Sequence, residues 1–168
     1  MLETERLLLR GHRVGDLDHM FELWSDAEVV RHTVGTPQTR EQSWNRLLRY
    51  VGHWAMSGYG YWVVEERENG CPVGEVGLAD FRRDTDPLLG SDPEMGWILA
   101  GRAQNKGYAT EAGRAVLAWR ETSLPGRGTV AIIAPQNSAS IRVAEKLGFH
   151  ESGVAVYHGD PILVVRRM

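Results

Sequence analysis

One stretch of the sequence carries residue types that could hold a phosphate group, Gln104–Thr110 (QNKGYAT). The hydrophobic run 97–100 before it predicts the end of a buried strand, and apolar residues recur at helical spacing from Tyr108 onward. The stretch is therefore predicted to be a strand, a short turn and the N-terminus of a helix. Such an N-terminus offers unpaired N–H groups and a positive dipole end, and Gly107 allows close approach of a ligand. With the cation of Lys106 beside it, the turn is predicted to bind a phosphate or pyrophosphate.

The spacing of the glycines distinguishes between kinds of phosphate site. The pattern G-x-x-x-x-G-K-[ST] is absent because Gly101 and Gly107 are wrongly spaced, and G-x-G-x-x-G is absent as well, which argues against a P-loop nucleotidase and a Rossmann dinucleotide site. The stretch does spell [QR]-x-x-G-x-[GA], from Gln104 to Ala109. This pattern resembles the loop that binds the acetyl-CoA pyrophosphate in the GNAT superfamily of N-acetyltransferases. An ordinary connection with an incidental glycine is the alternative at this point.

A second segment favours the GNAT interpretation. Directly after the apolar, β-branched run Thr129–Ala134, residues 137–149 spell N-x-x-S-x-x-x-x-E-K-L-G-F. This pattern, following the loop in the same order along the chain, resembles GNAT. The opening TERLLLR (residues 4–10) and the run EMGWIL (residues 94–99) are similar to one branch, the ribosomal-protein N-terminal (alanine or serine) acetyltransferases. The resemblance covers nearly the whole chain and is weakest between Thr33 and Tyr61.

Length and composition fit a single N-acetyltransferase domain spanning residues 1–168. The chain is 42% hydrophobic and 24% charged, with a net charge of -3, so it has no global basic signal for nucleic acid. Its one cysteine, Cys71, cannot form an intrachain disulfide. The N-terminus does not have the pattern of a secretory signal, and no apolar run approaches membrane-spanning length. We therefore expect a cytoplasmic protein that binds neither nucleic acid nor a membrane.

The order of predicted elements is β-α-α-β-β-β-α-β-α-β-β. It predicts an α/β (α+β) fold with a mixed, largely antiparallel sheet of six to seven strands flanked by helices, as in GNAT. Asp16 is predicted to cap the first helix, and Thr39 with Gln42 forms a capping box at the start of the second. The inner face of that second helix is predicted to be Trp44, Leu47, Leu48, Val51 and Trp54.

The resemblance also implies where acetyl-CoA binds. Strands 94–100 and 129–134 splay apart, and their unpaired backbone groups bond the pantetheine arm, with an N–H near Ile98 or Leu99 facing the thioester carbonyl. Ser140 is implied to lie near the thioester sulfur, although capping of the helix explains a serine there equally well. The implied cofactor-binding residues are Ile98, Leu99, Gln104, Asn105, Lys106, Gly107, Tyr108, Ala109, Thr110, Asn137 and Ser140.

The implied chemistry is acyl transfer from acetyl-CoA to an amine, which needs neither a metal nor a covalent enzyme intermediate when both substrates are held together. Glu94 is the candidate base and Ser140 the candidate proton donor to the thiolate. A solvent-facing carboxylate at the start of a strand is the alternative for Glu94. The tyrosine that many GNAT enzymes place after the asparagine is missing, since no tyrosine lies between Asn137 and Tyr157.

The acceptor is left open by the sequence. An α-amine has a pKa of about 7.7–8.0 against about 10.4 for lysine, so a weak base suffices for an α-amine. A protein N-terminus is therefore the first candidate. A small-molecule amine (antibiotic, polyamine or amino acid) is the second, and a non-catalytic CoA sensor the third. The protein is expected to be a monomer or a homodimer. Aromatic residues that could line the acceptor pocket, or equally form core, are Trp44, Trp54, Tyr59, Tyr61 and Trp62.

Overall fold

All eight strands lie in one sheet, in the order β1-β2-β3-β4-β5-β6-β8-β7, in a computed structural model that describes residues 1–168. Only β5 and β6 are parallel, and every other neighbouring pair is antiparallel. The predicted mixed, largely antiparallel sheet is confirmed, with one strand more than predicted, because the first two-residue strand is too short to leave a signal in the sequence. The strands are β1 (Leu2–Glu3), β2 (Leu7–Arg10), β3 (Tyr61–Glu66), β4 (Pro72–Ala79), β5 (Glu94–Leu99), β6 (Thr129–Ile133), β7 (His150–Tyr157) and β8 (Asp160–Arg167).

Five α-helices cover the two faces of this sheet. Residues of α4 and α5 pack with one face in the larger core, and residues of α1, α2 and α3 pack with the other face in a second core. The one-turn helix α2 was not predicted, because four residues are too few to show a helical period. The helices are α1 (Leu17–Ser25), α2 (Ala27–Val30), α3 (Arg40–Ser57), α4 (Tyr108–Ser123) and α5 (Ser138–Lys146). None of them combines the length and apolar character needed to cross a membrane.

One predicted cap is confirmed and one is wrong. Thr39 and Gln42 form the expected reciprocal capping box at the start of α3. Asp16 makes no side-chain cap for α1. Its two carboxylate oxygens instead accept hydrogen bonds from Arg10 at 2.8 and 2.7 Å, and both residues are buried. A buried arginine needs a paired carboxylate, so the ion pair takes the aspartate away from the helix end.

The predicted inner face of α3 is also partly wrong. Leu48 and Val51 are 49% and 44% exposed, whereas the buried side chains of the helix are Ser43, Leu47 and Tyr50. These residues follow one another at spacings of four and three, which is the helical period. A serine and a tyrosine take inward positions because each finds a polar partner, the carbonyl of Thr39 for Ser43 and the guanidinium of Arg46 for Tyr50.

The parallel pair β5–β6 opens after its first residues. Its one register pair is Glu94 with Val130, next to a hydrogen bond from the Val130 N–H to the Pro93 carbonyl at 3.1 Å. On its other edge, β5 is paired with β4 along its full length, from Glu94 to Leu99. The later residues of β5 therefore have one edge free of any strand partner, and this gap is the feature around which the site is built.

Candidate active site

The turn before α4 forms a cluster of unpaired backbone donors. Gly107 has a left-handed φ of 82° and Asn105 a φ of 60°, and the first helical hydrogen bond runs from the Glu111 N–H to the Gly107 carbonyl at 3.0 Å. No acceptor in the chain takes the N–H groups of residues 105–110. Consecutive free N–H groups at a helix N-terminus bind anions, and phosphates above all. These orphaned donors fit the pyrophosphate of acetyl-CoA.

A clamp from the connection between β1 and β2 fixes this turn, and sequence reasoning did not find it. The carboxylate of Glu111 accepts hydrogen bonds from the Thr4 hydroxyl at 2.6 Å and from the Arg6 backbone N–H at 2.9 Å, and it pairs with the Arg6 guanidinium at 2.6 Å. Arg6 also donates to the Lys106 carbonyl at 3.0 Å. The sequence did contain a signal, because Thr4 and Arg6 belong to the TERLLLR motif. It does not show that they meet Glu111, which lies in the middle of the chain.

The alternation of hydrogen bonds along β5 decides which of its backbone groups face the gap. The Ala100 N–H donates to the Val73 carbonyl on β4, so in the antiparallel ladder the next residue to bond to β4 is Ile98. The N–H groups of Trp97 and Leu99 point the other way, into the gap. The expected free N–H at Ile98 is thus corrected: Leu99 and Trp97 are the possible donors to a carbonyl oxygen there, while Ile98 contributes its side chain.

The side chain of Gln104 is used to shape the turn. Its amide Nε2 donates to the Leu99 carbonyl at 3.1 Å, which satisfies the last backbone acceptor of β5. Lys106 points away from the gap, with its Nζ 3.5 Å from Glu66 Oε1. Gln104 therefore supports the loop, and the Lys106 charge is shared with Glu66.

Helix α5 presents Asn137 and Ser140 to the opposite side of the gap. Asn137 is the N-cap, because its Oδ1 accepts the Ser140 N–H at 3.1 Å. Ser140 is therefore not the capping residue, and its Oγ instead accepts a hydrogen bond from Trp97 Nε1 at 3.3 Å. This bond ties the start of α5 to the strand whose edge is free and leaves the hydroxyl proton of Ser140 available for another acceptor.

A groove of about 450 Å³ runs along these elements. It brings together all the predicted cofactor-binding residues except Lys106, and Glu94 does not line it. Both Leu99, which packs with the α4–α5 core, and Ile98, which packs with the α1–α3 core, border the groove. Residues 28–33, from the end of α2, line its far side. The groove thus reaches the gap from both faces of the sheet.

Glu94 lies at the closed end of the gap and is 7% exposed. Its two oxygens accept hydrogen bonds from Arg83 Nε at 2.6 Å and Arg83 Nη2 at 2.8 Å, and Arg83 also donates to the Tyr157 hydroxyl at 3.1 Å. The carboxylate is therefore neither exposed nor free, in contrast to the solvent-facing alternative. Its role as a base stays a prediction, and the geometry gives it a structural role beside that one.

Tyr61 is one of the aromatic residues that the sequence left open between the acceptor pocket and the core. It stacks on Tyr50 with ring centroids 4.4 Å apart, and its hydroxyl reaches the position that a Cβ on Gly96 would occupy. Burial, followed by the nearby Tyr50 and Glu94, raises the pKa of the Tyr61 hydroxyl well above its usual value. A neutral hydroxyl thus lies over β5, one residue before Trp97. Only glycine at position 96 permits this approach.

The family-model comparison matches residues 6–150 to the acetyltransferase (GNAT) domain. This chain belongs to the GNAT acetyltransferases. It is 32% identical to the protein YkkB of Bacillus subtilis over 99% of this chain and 94% of the relative. The N-acetyltransferase p20 of Bacillus licheniformis is 26% identical over 91% of this chain and 84% of its own. A GnaT-family acetyltransferase structure from Bordetella pertussis superposes with a TM-score of 0.87 at 30% identity, covering 99% of this chain and 98% of that one.

More distant GNAT structures share the fold while acting on different amines. A ribosomal-protein-S5-alanine acetyltransferase from Vibrio fischeri has a TM-score of 0.73 at 20% identity, covering 99% of this chain and 94% of that one. A spermidine N-acetyltransferase from Vibrio cholerae, in complex with CoA and spermine, has a TM-score of 0.73 at 22% identity, covering 97% and 94%. The family assignment makes this GNAT protein an acetyl-CoA-dependent acetyltransferase, while these distant likenesses concern the fold alone.

Proposed function

We propose that this GNAT enzyme transfers the acetyl group of acetyl-CoA to a primary amine, first of all to the α-amine of a protein or peptide N-terminus, in a ternary complex. The observation that carries the proposal is the free edge of β5 next to the orphaned N–H groups of residues 105–110. Together they place unpaired backbone N–H groups at two points along the groove, on Trp97 and Leu99 in the gap and on residues 105–110 at the helix N-terminus. This spacing suits a pantetheine arm followed by a pyrophosphate.

Direct attack is supported by what borders the groove. The single cysteine, Cys71, does not line it, and no three His, Cys, Asp or Glu side chains form a cluster that could hold a metal ion. The N–H groups of Trp97 and Leu99 would stabilise negative charge on the thioester oxygen. The attacking amine loses one proton as the departing thiolate gains one, and Ser140, with its hydroxyl proton uncommitted, would relay a proton to the thiolate, directly or through water. That metal ions take no part stays a prediction.

The α-amine is favoured as acceptor by the state of the carboxylates near the gap. Glu94 is engaged by Arg83, and Glu75, which lies opposite Ile98 on β4, is fully buried and accepts a hydrogen bond from Trp24 Nε1 at 2.9 Å. Neither is a free, strong base. An amine with a pKa of about 7.7–8.0 is already partly neutral near pH 7.5, whereas a lysine amine is not.

Thiol release from acetyl-CoA tests the proposal directly. The purified protein is assayed with peptides of varied N-terminal residue, the same peptides with a blocked N-terminus and an internal lysine, spermidine and an aminoglycoside. We expect turnover with free α-amines and a loss of at least about tenfold in kcat/KM when only the lysine remains, since deprotonation is then more demanding. Turnover confined to spermidine or the aminoglycoside would replace the proposed acceptor with a small-molecule amine. Binding of acetyl-CoA without turnover on any amine would indicate a sensor.

A further inference from the structure

Two arginines of α3 are left without a carboxylate partner. Arg46 and Arg49 lie one turn apart, and neither forms a salt bridge in the chain. Arg46 donates to the Gln38 side chain at 3.1 Å and to the Tyr50 hydroxyl at 3.4 Å, and Arg49 makes no hydrogen bond. An arginine normally satisfies its fork of donors with a planar anion. Here much of that capacity is unused.

Aromatic rings hold these two guanidinium groups in place. Arg46 lies over the ring of Trp24, 3.4 Å from its centroid, and Arg49 lies 5.3 Å from the centroid of Phe81. Arg83 completes this cluster of three arginines, with its guanidinium carbon 4.5 Å from the centroid of the same Phe81 ring. Cation–π contacts of this kind fix the position of a charge while leaving its N–H groups free for a ligand.

The neighbouring carboxylates pair with other groups and not with Arg46 or Arg49. Glu94 accepts two hydrogen bonds from Arg83. Glu75 is fully buried, where it accepts a hydrogen bond from Trp24 Nε1 and lies 3.2 Å from His12 Nε2. Burial, followed by the charge of Arg46, lowers the pKa of Arg49. The Arg49 side chain is nevertheless exposed and Arg46 is half-buried, so an anion from solution can reach two like charges that lie one helical turn apart.

The cluster lies against aromatic residues of the α1–α3 core and does not itself line the groove. The loop at residues 105–110 and helix α5 place the donor on the α4–α5 face, so the acceptor must reach the same gap from the α1–α3 face. On that face, Tyr50 stacks on Tyr61, whose hydroxyl lies over Gly96. Arg46 and Arg49 contact Tyr50, with guanidinium carbons 6.0 and 5.9 Å from its ring centroid. Two stacked rings therefore separate the arginines from the reacting strand.

We propose that Arg46 and Arg49 bind an acidic group of the acceptor, so that the enzyme prefers amines that carry a nearby carboxylate, such as peptides with an acidic residue close to the N-terminus. Polyamines and aminoglycosides, which carry several positive charges, are repelled by the same cluster. This inference rests on the proposed acetyl transfer to an α-amine and specifies which α-amines are used.

The test compares peptides that are identical except for Glu, Gln or Lys at the second, third and fourth positions. Wild type is expected to favour the best Glu peptide over its Gln counterpart by about 10- to 100-fold in kcat/KM, the range of charge-assisted hydrogen bonds. Arg49→Gln should lower this Glu-to-Gln ratio by about tenfold, and Arg49→Glu should invert it in favour of the Lys peptide. Arg40→Gln is the matched control, because Arg40 lies on the same helix but pairs with Asp18 at 2.5 Å, and it should leave the ratio unchanged.

Folding and binding are measured alongside activity. Thermal melts show whether each variant is folded, and Arg49 is chosen before Arg46 because it makes no hydrogen bond that its loss would break. Calorimetry with the CoA-loaded protein measures binding of the Glu and Gln peptides without turnover. If peptides are acetylated with no preference for Glu, this inference is wrong while the proposed function stands. If no peptide is acetylated but the Glu peptide binds through Arg49, the proposed acceptor is wrong and the anion site stands. Spermidine as the best acceptor would overturn both.

Discussion

Replacing Glu94 by glutamine distinguishes its role as the partner of Arg83 from its proposed role as a base. The first role affects the Tm, and the second affects the pH dependence of the rate. The change keeps the shape of the side chain and removes its charge, so Arg83, whose side chain is only 21% exposed, loses its partner. Breaking a buried ion pair from one side costs about 3–5 kcal/mol, and the partial exposure of Arg83 lowers the expected cost to about 2–3 kcal/mol. For a chain of this size this corresponds to a fall in Tm of about 4–12 °C. That fall is expected whatever Glu94 does in catalysis.

The pH–rate profile reports on catalysis itself. If Glu94 accepts a proton from the amine through water, Glu94→Gln should lose about 10²-fold in kcat/KM at low pH, near the lower limit for general-base catalysis. The loss should shrink as the pH approaches about 7.7–8.0, where an α-amine deprotonates without help. If Glu94 only holds Arg83, the loss should be the same at every pH. Profiles are measured from pH 6 to 9 on the best peptide found.

Asp16→Asn is the matched control, because it breaks a second buried ion pair, with Arg10, that does not line the groove. It should lower the Tm by a similar amount and leave the shape of the pH profile unchanged. A Glu94→Gln profile parallel to wild type, with less than about a threefold loss, would refute the base. An unchanged Tm would refute the reasoning about the ion pair.

Three further predictions concern the loop, the thiolate and acid stability. Gly107→Glu should bind acetyl-CoA at least about tenfold more weakly than Gly107→Ala does. Both variants share the strain of a left-handed residue, but only Glu adds a negative charge. Equal calorimetric affinities of the two variants would contradict the loop assignment. Ser140→Ala should lower kcat with little change in acetyl-CoA affinity, and Ser140→Thr, which keeps a hydroxyl, should recover part of it; normal turnover in the alanine variant would leave the thiolate to take its proton from water. Burial raises the pKa of Glu111, but the hydrogen bonds from Thr4 and Arg6 outweigh burial and hold this pKa below its usual value. The stability that Glu111 contributes is therefore present above its unfolded pKa of about 4.3 and is lost as the pH falls further. Glu111→Gln should flatten the loss of Tm below pH 5, and an unchanged slope would contradict the clamp.

The elements that border the groove on the α4–α5 face could be predicted from the sequence because their signals are local. Gly107 at a helix start and the apolar run of β6 each depend on a few neighbouring residues. The contacts that were missed join residues far apart in the chain. The clamp of Thr4 and Arg6 on Glu111 spans more than a hundred positions, and the partner of Glu94 comes from a loop with no repeated pattern.

The same distinction explains the errors on α3. Hydrophobicity alone put Leu48 and Val51 inside, whereas the structure buries Ser43 and Tyr50, whose polar groups find partners only in the folded protein. The choice between Ile98 and Leu99 as the free N–H donor was left open for a related reason. Which edge of β5 each N–H faces depends on the register with β4, and a register cannot be read from one strand.

The alternation of side chains along β5 also separates the two faces of the sheet on which we propose that the donor and the acceptor bind. Odd-numbered residues such as Leu99 turn their side chains to α4 and α5, where the orphaned N–H groups lie, and even-numbered ones such as Ile98 turn theirs to α1 and α3. The segments that resemble GNAT most closely build the first face, which every member of the family needs for the same donor. The second face is built by α1, α2 and α3 together with Tyr61, and it carries the Tyr61 hydroxyl and the arginines of α3. Helix α3 and Tyr61 lie within residues 33–61, where the resemblance is weakest. In the proposed arrangement, residues of α3 on the acceptor face, such as Arg49, can change without touching the donor site, whereas Trp54 of the same helix packs on Trp119 of α4.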